Sequence, residues 1–144
     1  MKCSKMDYLL HLIYINNQMK IIDEIKINVK SSFISDKSSI KKSIYFFMYR
    51  VTILNNSDKK LQLINRHWHI SDSNDNTQVI DGEGVIGEQP ILNPGDYFKY
   101  SSFCPIKTEF GTMSGYYTFK ELNTSELYKG IIPKFILVTP TQIN

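Results

Sequence analysis

The sequence predicts an all-β domain, an immunoglobulin or fibronectin type III-like antiparallel β-sandwich of about seven to eight strands behind a short N-terminal extension. Three observations predict it. After residue 22 no segment sustains an apolar period of 3.6 residues, and several short runs alternate apolar with polar positions instead. Turn residues recur every 8 to 12 positions along the same stretch. The 9 Tyr and 8 Phe, with abundant Ile and Val, favour a pleated and half-buried surface. A chain of 144 residues suffices for one core, so residues 1–22 read as an extension and 23–144 as one β-sandwich domain.

The extension carries the apolar run Tyr8-Leu9-Leu10-His11-Leu12-Ile13-Tyr14-Ile15, about half of the ~20 residues a spanning helix needs. Neither a membrane span nor a secretory leader is expected, since Asn16-Asn17-Gln18-Met19-Lys20 offers no small-residue cleavage site. The run reads as peripheral and helical, and Met19 as a candidate alternative start. Cys3 and Cys104 lack metal-ligand or redox spacing and read as free thiols in a reducing cytoplasm.

From Asp23 the period becomes two: Ile25, Ile27 and Val29 alternate with Lys26, Asn28 and Lys30. A loop at Asp36-Lys37-Ser38-Ser39 precedes the strongest strand signal, Ile44 to Leu54, with Tyr45, Phe47, Tyr49, Val51 and Ile53 on one side. Its other side, with Phe46, Met48 and Leu54, is also apolar enough to need a cover of chain or a partner; core filling is the simpler expectation. Asn55-Asn56-Ser57-Asp58 turns the chain into a strand from Leu61 to Ser71, where strict alternation puts Gln62, Ile64, Arg66, Trp68 and Ile70 on one face. A short strand at Thr77 to Asp81 leads into Gly82, Gly84 and Gly87, and Asn93-Pro94-Gly95-Asp96 fits a type II turn. Strands at Tyr97 to Cys104, Met113 to Leu122, Glu126 to Ile131 and Lys134 to Thr139 complete the chain, with Pro105 and Pro133 read as breaks.

The glycines match Gly-x-Gly-x-x-Gly, which in a dinucleotide-binding protein leaves a strand and opens a helix. Here Glu88-Gln89-Pro90 and Asn93-Pro94-Gly95 forbid that helix. Two readings stay open: a bend that lets Val85 and Ile86 pack, which is the expectation, and an anion-binding nest of amides assisted by Arg66 or a nearby lysine. His67 and His69 share a strand face and could reach a metal, but only Asp72 lies close by and His11 falls in the extension. Packed or surface histidines are the expectation. No Gly-x-Ser-x-Gly elbow is present, and Cys104-Pro105 has no evident partner. No catalytic residue, metal site or cofactor is therefore assigned.

Residues 1 to 66 hold 12 Lys and Arg against 5 Asp and Glu, whereas 67 to 144 hold 5 against 9. The two halves of a sandwich intermingle, so nucleic acid is not an expected partner.

With the glycine stretch in place, the chain resembles the ApaG family, a small fibronectin type III-like β-sandwich. The matching residues are Tyr49 to Asn55, Arg66-His67-Trp68, Asp81 to Pro90, Pro94-Gly95, Tyr100-Ser101-Ser102, Phe110 to Tyr117 and Ile132-Pro133-Lys134-Phe135, in collinear order. The departures are the apolar extension, His69 in place of an aliphatic residue, and a single proline at Pro133 where two are common. The resemblance implies no established catalysis. It implies links with magnesium and cobalt resistance and with diadenosine polyphosphate metabolism, and a likeness to interaction modules of eukaryotic F-box and DNA-polymerase-associated proteins. The expected function is a cytoplasmic, non-catalytic protein-binding module with Arg66, Trp68, Gly82, Gly84 and Gly87 at its surface. A phosphate-containing small molecule or nucleotide on the Gly82 to Gly87 loop is the alternative.

Overall fold

The computed structural model describes residues 19–140 together with Met6, Leu9 and Leu10. Those three residues are helical and exposed; the rest of the predicted extension, His11 included, lies outside the described residues. Nine strands follow: β1 (Lys20–Ile21), β2 (Ile25–Phe33), β3 (Tyr45–Asn55), β4 (Leu61–Asp72), β5 (Thr77–Glu83), β6 (Ile91–Leu92), β7 (Tyr97–Ile106), β8 (Phe110–Glu121) and β9 (Leu127–Val138). One sheet has the order β1-β9-β8-β4-β5, with β6 also paired to β4; the other has the order β2-β3-β7. Every pairing is antiparallel except β1 on β9, so the predicted sandwich is present. The last residues of the expected extension enter the sheet: β1 pairs with Tyr128 and Lys129, and Ile22 is buried.

The inner faces meet in one core. β3 contributes Phe47, Val51 and Ile53, β4 contributes Leu61, Leu63, Trp68 and Ile70, and Met113, Tyr117, Phe119, Ile132 and Leu137 close it from β8 and β9. Alternation on β3 is as the sequence predicts, but its outer face is not core: Phe46, Met48, Thr52 and Leu54 are half-buried and carry no further layer among the described residues. Strict alternation fails on β4. A bulge between Leu63 and Asn65 shifts the phase by one residue, so Leu61 and Leu63 point inward together with Trp68 and Ile70.

Both prolines read as breaks instead lie within strands, for the same physical reason. Pro105 is in β7, an edge strand, opposite Phe46, and Pro133 is in β9 where register shifts opposite Met113 and Gly115. A missing N–H costs little at an edge or a bulge. The turn at Asn93 to Asp96 is closed by Asp96 N–H to Asn93 O at 3.0 Å, with Gly95 at φ +89° as expected.

One buried amide ties three segments together at the end of β3. Asn55 Nδ2 donates to Lys59 O at 2.7 Å and to Leu92 O at 2.9 Å, and its Oδ1 accepts from Ser57 N–H at 3.0 Å and from Ser57 Oγ at 2.6 Å. Its backbone N–H reaches Asp96 O and its carbonyl takes the Gly95 N–H. Asn55→Ala leaves the buried Leu92 carbonyl contact unmade, at about 1–3 kcal/mol, and removes the part-buried bonds to Lys59 O and Ser57. A urea-denaturation series should show the variant less stable by at least about 2 kcal/mol with an unchanged m-value.

Candidate binding surface around Arg66 and the glycine turn

β5 and β6 flank the same side of β4, and the glycine segment forms the turn between them. Opposite Gly82 in the β4–β5 register stands Arg66. The half-buried guanidinium lies over the β5 backbone and donates through Nη1 to Glu83 O at 2.9 Å and Gly84 O at 3.0 Å. A Cβ on Gly82 would sit 2.6 Å from Arg66 Cζ, so this glycine makes room for the arginine.

Val85 to Glu88 is a two-residue hairpin closed by Val85 N–H to Glu88 O at 2.8 Å and Glu88 N–H to Val85 O at 2.9 Å. Both central residues take positive φ, Ile86 at +45° and Gly87 at +78°, the pattern of a type I′ turn. Left-handed backbone is ordinary for glycine but strained for a β-branched side chain. Ile86 is held there because its neighbours are pinned: Val85 is fully buried, Gly84 N–H donates to Ile64 O at 2.7 Å, Gln89 Nε2 donates to Ile64 O at 3.0 Å, and Leu63 N–H donates to Pro90 O at 3.0 Å. The Ile86 side chain itself is 58% exposed.

The structure brings Arg66, Gly82 and Gly84 together with Gly87 at the tip of the same turn, but Trp68 is buried and does not belong to the exposed surface. The indole is 2% exposed and packs edge-on against Tyr49 at 5.4 Å, Tyr117 at 6.2 Å and Phe135 at 5.9 Å, between the sheets. The bulge in β4 turned it inward. Among the described residues its Nε1 is the buried side-chain atom with no hydrogen-bond partner in the protein. The amides of Gly84, Val85 and Glu88 face β4 or each other, so they do not converge on an outside anion.

Outside β5 no strand covers this edge of the sheet among the described residues. Behind it lies a depression of about 240 Å³ whose lining includes Arg66, Trp68, Gln78, Ile80, Phe103 and Cys104. Val79 on β5, opposite His69, and Ile91 on β6, opposite Gln62, are 51% and 48% exposed. Sequence reasoning missed Val79 and Ile86. The available signal was glycine as the second central residue of Val85-Ile86-Gly87-Glu88, between two residues that pair.

His67 Nδ1 lies 2.5 Å from Asp81 Oδ1, and the His67 ring stacks on Tyr116 at 4.7 Å with His69 edge-on at 5.1 Å. Lys129 Nζ stands 4.5 Å from the Tyr116 ring. The histidines therefore belong to a surface stack, and no group of three or more His, Cys, Asp or Glu gathers for a metal among the described residues. Burial pushes the Cys104 thiol up to about 11 and, deeper in the core, raises the Tyr100 and Tyr117 phenols, whose hydroxyls share a hydrogen bond.

Comparison with known proteins gives one consistent answer. Residues 35–121 match the family model described as ApaG domain. The chain is 42% identical over 116 residues to Protein ApaG of Methylobacterium radiotolerans, covering 81% of this chain and 88% of that protein. It is 43% identical over 117 residues to Protein ApaG of Allorhizobium ampelinum, covering 81% and 89%. The crystal structure of the ApaA protein of Bordetella pertussis superposes with a TM-score of 0.78 at 35% identity, over 85% of this chain and 98% of that one.

Two measurements check this geometry. A Cβ on Gly84 would lie 2.1 Å from Glu88 O whereas one on Gly87 meets nothing within 4 Å, so Gly84→Ala should unfold far more readily than Gly87→Ala, whose left-handed backbone costs about 1–2 kcal/mol. Thermal melting of the two variants separates them. With its thiol held up at about 11, Cys104 should resist iodoacetamide at mildly alkaline pH in the native protein and react once urea unfolds it, as peptide mass spectrometry would show.

Proposed function

This chain belongs to the ApaG domain family, and from that premise we propose that it is a non-catalytic protein-binding module whose docking edge is β5 and the turn that follows it. The observation that supports this reading most directly is the open β5 edge backed by a depression of about 240 Å³ whose lining mixes Trp68, Ile80 and Phe103 with Arg66 and Gln78. An unpaired strand edge offers N–H and C=O groups to an added strand, and a pocket behind it receives alternate side chains. Val79 and the strained Ile86 supply exposed apolar contacts, and Arg66 fixes the backbone between them at Glu83 and Gly84. In an added-strand complex the main-chain hydrogen bonds give affinity, and side-chain pockets give specificity.

The partner is another protein of the same cell, and no cofactor is required for the docking. Through that partner the module contributes to the magnesium and cobalt resistance that the family resemblance implies. A phosphate or nucleotide on the glycine turn is less well supported, because the three amides named above are already engaged.

Affinity purification of the tagged chain from its own cell, run beside Val79→Lys and Ile86→Asp, tests the proposal. Both side chains are about half exposed, so the variants should melt close to wild type. The same co-purified protein should fall at least tenfold with each. A partner retained at full yield by both variants removes β5 and the turn as the docking edge.

A further inference from the structure

The topology sorts charge in a way the linear sequence does not show. β2, β3 and β7 form one sheet and between them contain Lys26, Lys30, Arg50 and Lys99 but no Asp or Glu. All four cations are exposed on the outer face, the one opposite the core, and none makes an ion pair with another described residue. The other sheet mixes the two signs, with Asp72, Asp81, Glu83 and Glu121 among its cations. The reason for setting nucleic acid aside, that the basic and acidic halves intermingle, therefore does not hold for this face.

Register fixes how the cations are arranged. Lys30 pairs directly with Arg50, which pairs with Ser101; one row away Asn28 pairs with Thr52, which pairs with Lys99. Like charges directly opposite each other on a sheet are destabilising. The Lys30–Arg50 pair has no carboxylate to offset it, and these six residues line a surface depression of about 360 Å³. Its walls present ammonium, guanidinium, amide and hydroxyl donors, the set that phosphate oxygens accept.

Aromatic rings flank the cations on the same face. Two residues beyond Ser101 on β7, Phe103 is 49% exposed, pairs with Met48, and contacts the Phe46 ring at 5.3 Å, with Lys37 Nζ 4.5 Å from its centroid. Two residues before Lys99, Tyr97 is 63% exposed. At ~3.3 Å per residue the two rings stand roughly 20 Å apart with the cations between them. Alternating backbone charge and flat apolar faces are the chemistry of a single-stranded nucleic acid, whose phosphates meet cations while its bases stack on aromatic rings. An acidic peptide would use the cations but leave the rings without a planar counterpart.

We propose that the outer face of the β2-β3-β7 sheet is a binding surface for single-stranded nucleic acid, with Lys30, Arg50 and Lys99 on the phosphates and Phe103 and Tyr97 under the bases. The face spans about four nucleotides, the small end of known single-strand sites. Its cations line a different depression from the one behind β5, which Phe103 also borders, so Arg50, Lys99 and Tyr97 are the positions that test it apart from the protein-docking edge.

Fluorescence anisotropy with a labelled oligouridylate of about twelve nucleotides, long enough to cover the site, tests it on the full chain. Wild type should bind with a log-log salt slope of roughly −2 to −3, as about 0.7 per neutralised phosphate requires. Arg50→Gln with Lys99→Gln should weaken binding at least tenfold and reduce the slope by about 1.4. Phe103→Ser should weaken it about tenfold with the slope unchanged. Lys134→Gln, an exposed site on β9 in the other sheet, should leave both unchanged. Melting of the double variant at or above the wild-type temperature would accord with relief of the Lys30–Arg50 repulsion. If Phe103→Ser melts early, Tyr97→Ser takes its place. No binding at low salt, loss equal to that of the double variant on Lys134→Gln, equally tight binding of a duplex of the same length, or displacement by sodium triphosphate with no effect of either aromatic change would each overturn the proposal.

Discussion

The geometry of this domain depends on the fully buried carboxamide of Asn55, the one such group among the described residues, whose side chain and backbone together satisfy the ends of three segments. A two-layer sandwich leaves loose ends where strands leave the core, and an exposed loop could drift there. Asn55 prevents that by holding Leu92, Lys59 and the Asn93 to Asp96 turn from a single point. Holding Leu92 fixes β6, and β6 is the far anchor of the glycine turn. The near anchor is Arg66, clamped over Gly82 by two carbonyl contacts. With both anchors set, Ile86 has no relaxed alternative and keeps its left-handed backbone.

The parts of the fold legible in sequence were those governed by local chemistry. Period-two alternation located β2 and β3, Asn93-Pro94-Gly95 declared its turn, and the prolines around the glycine triplet ruled out a helix. What escaped was set by neighbours distant along the chain. Whether Pro105 ends a strand depends on whether that strand is an edge, which only the β2-β3-β7 order decides. The bulge at Leu63 to Asn65 responds to pairing with β8, and nothing in residues 61–72 announces it. That single inserted position moved Trp68 from a presumed surface role into the sheet interface.

The candidate surface was legible in about the same proportion. Arg66 and the three glycines were found because unusual backbone chemistry concentrates there, and the structure sets Arg66 on Gly82 and Gly84 with Gly87 at the tip of the turn. Val79 and Ile86 look like ordinary strand residues in a list and acquire meaning only as an exposed edge and a strained tip. The uneven halves of the charge were visible too, but which cations share a face followed from pairing β3 with β7, some fifty residues downstream.

The inward turn of Trp68 also decides what the protein reports about itself. As the sole indole of the chain, wedged among Tyr49, Tyr117 and Phe135, it is an optical gauge of the layer-to-layer joint. Its emission will track the separation of the two layers while staying largely blind to a guest on the outer cationic face.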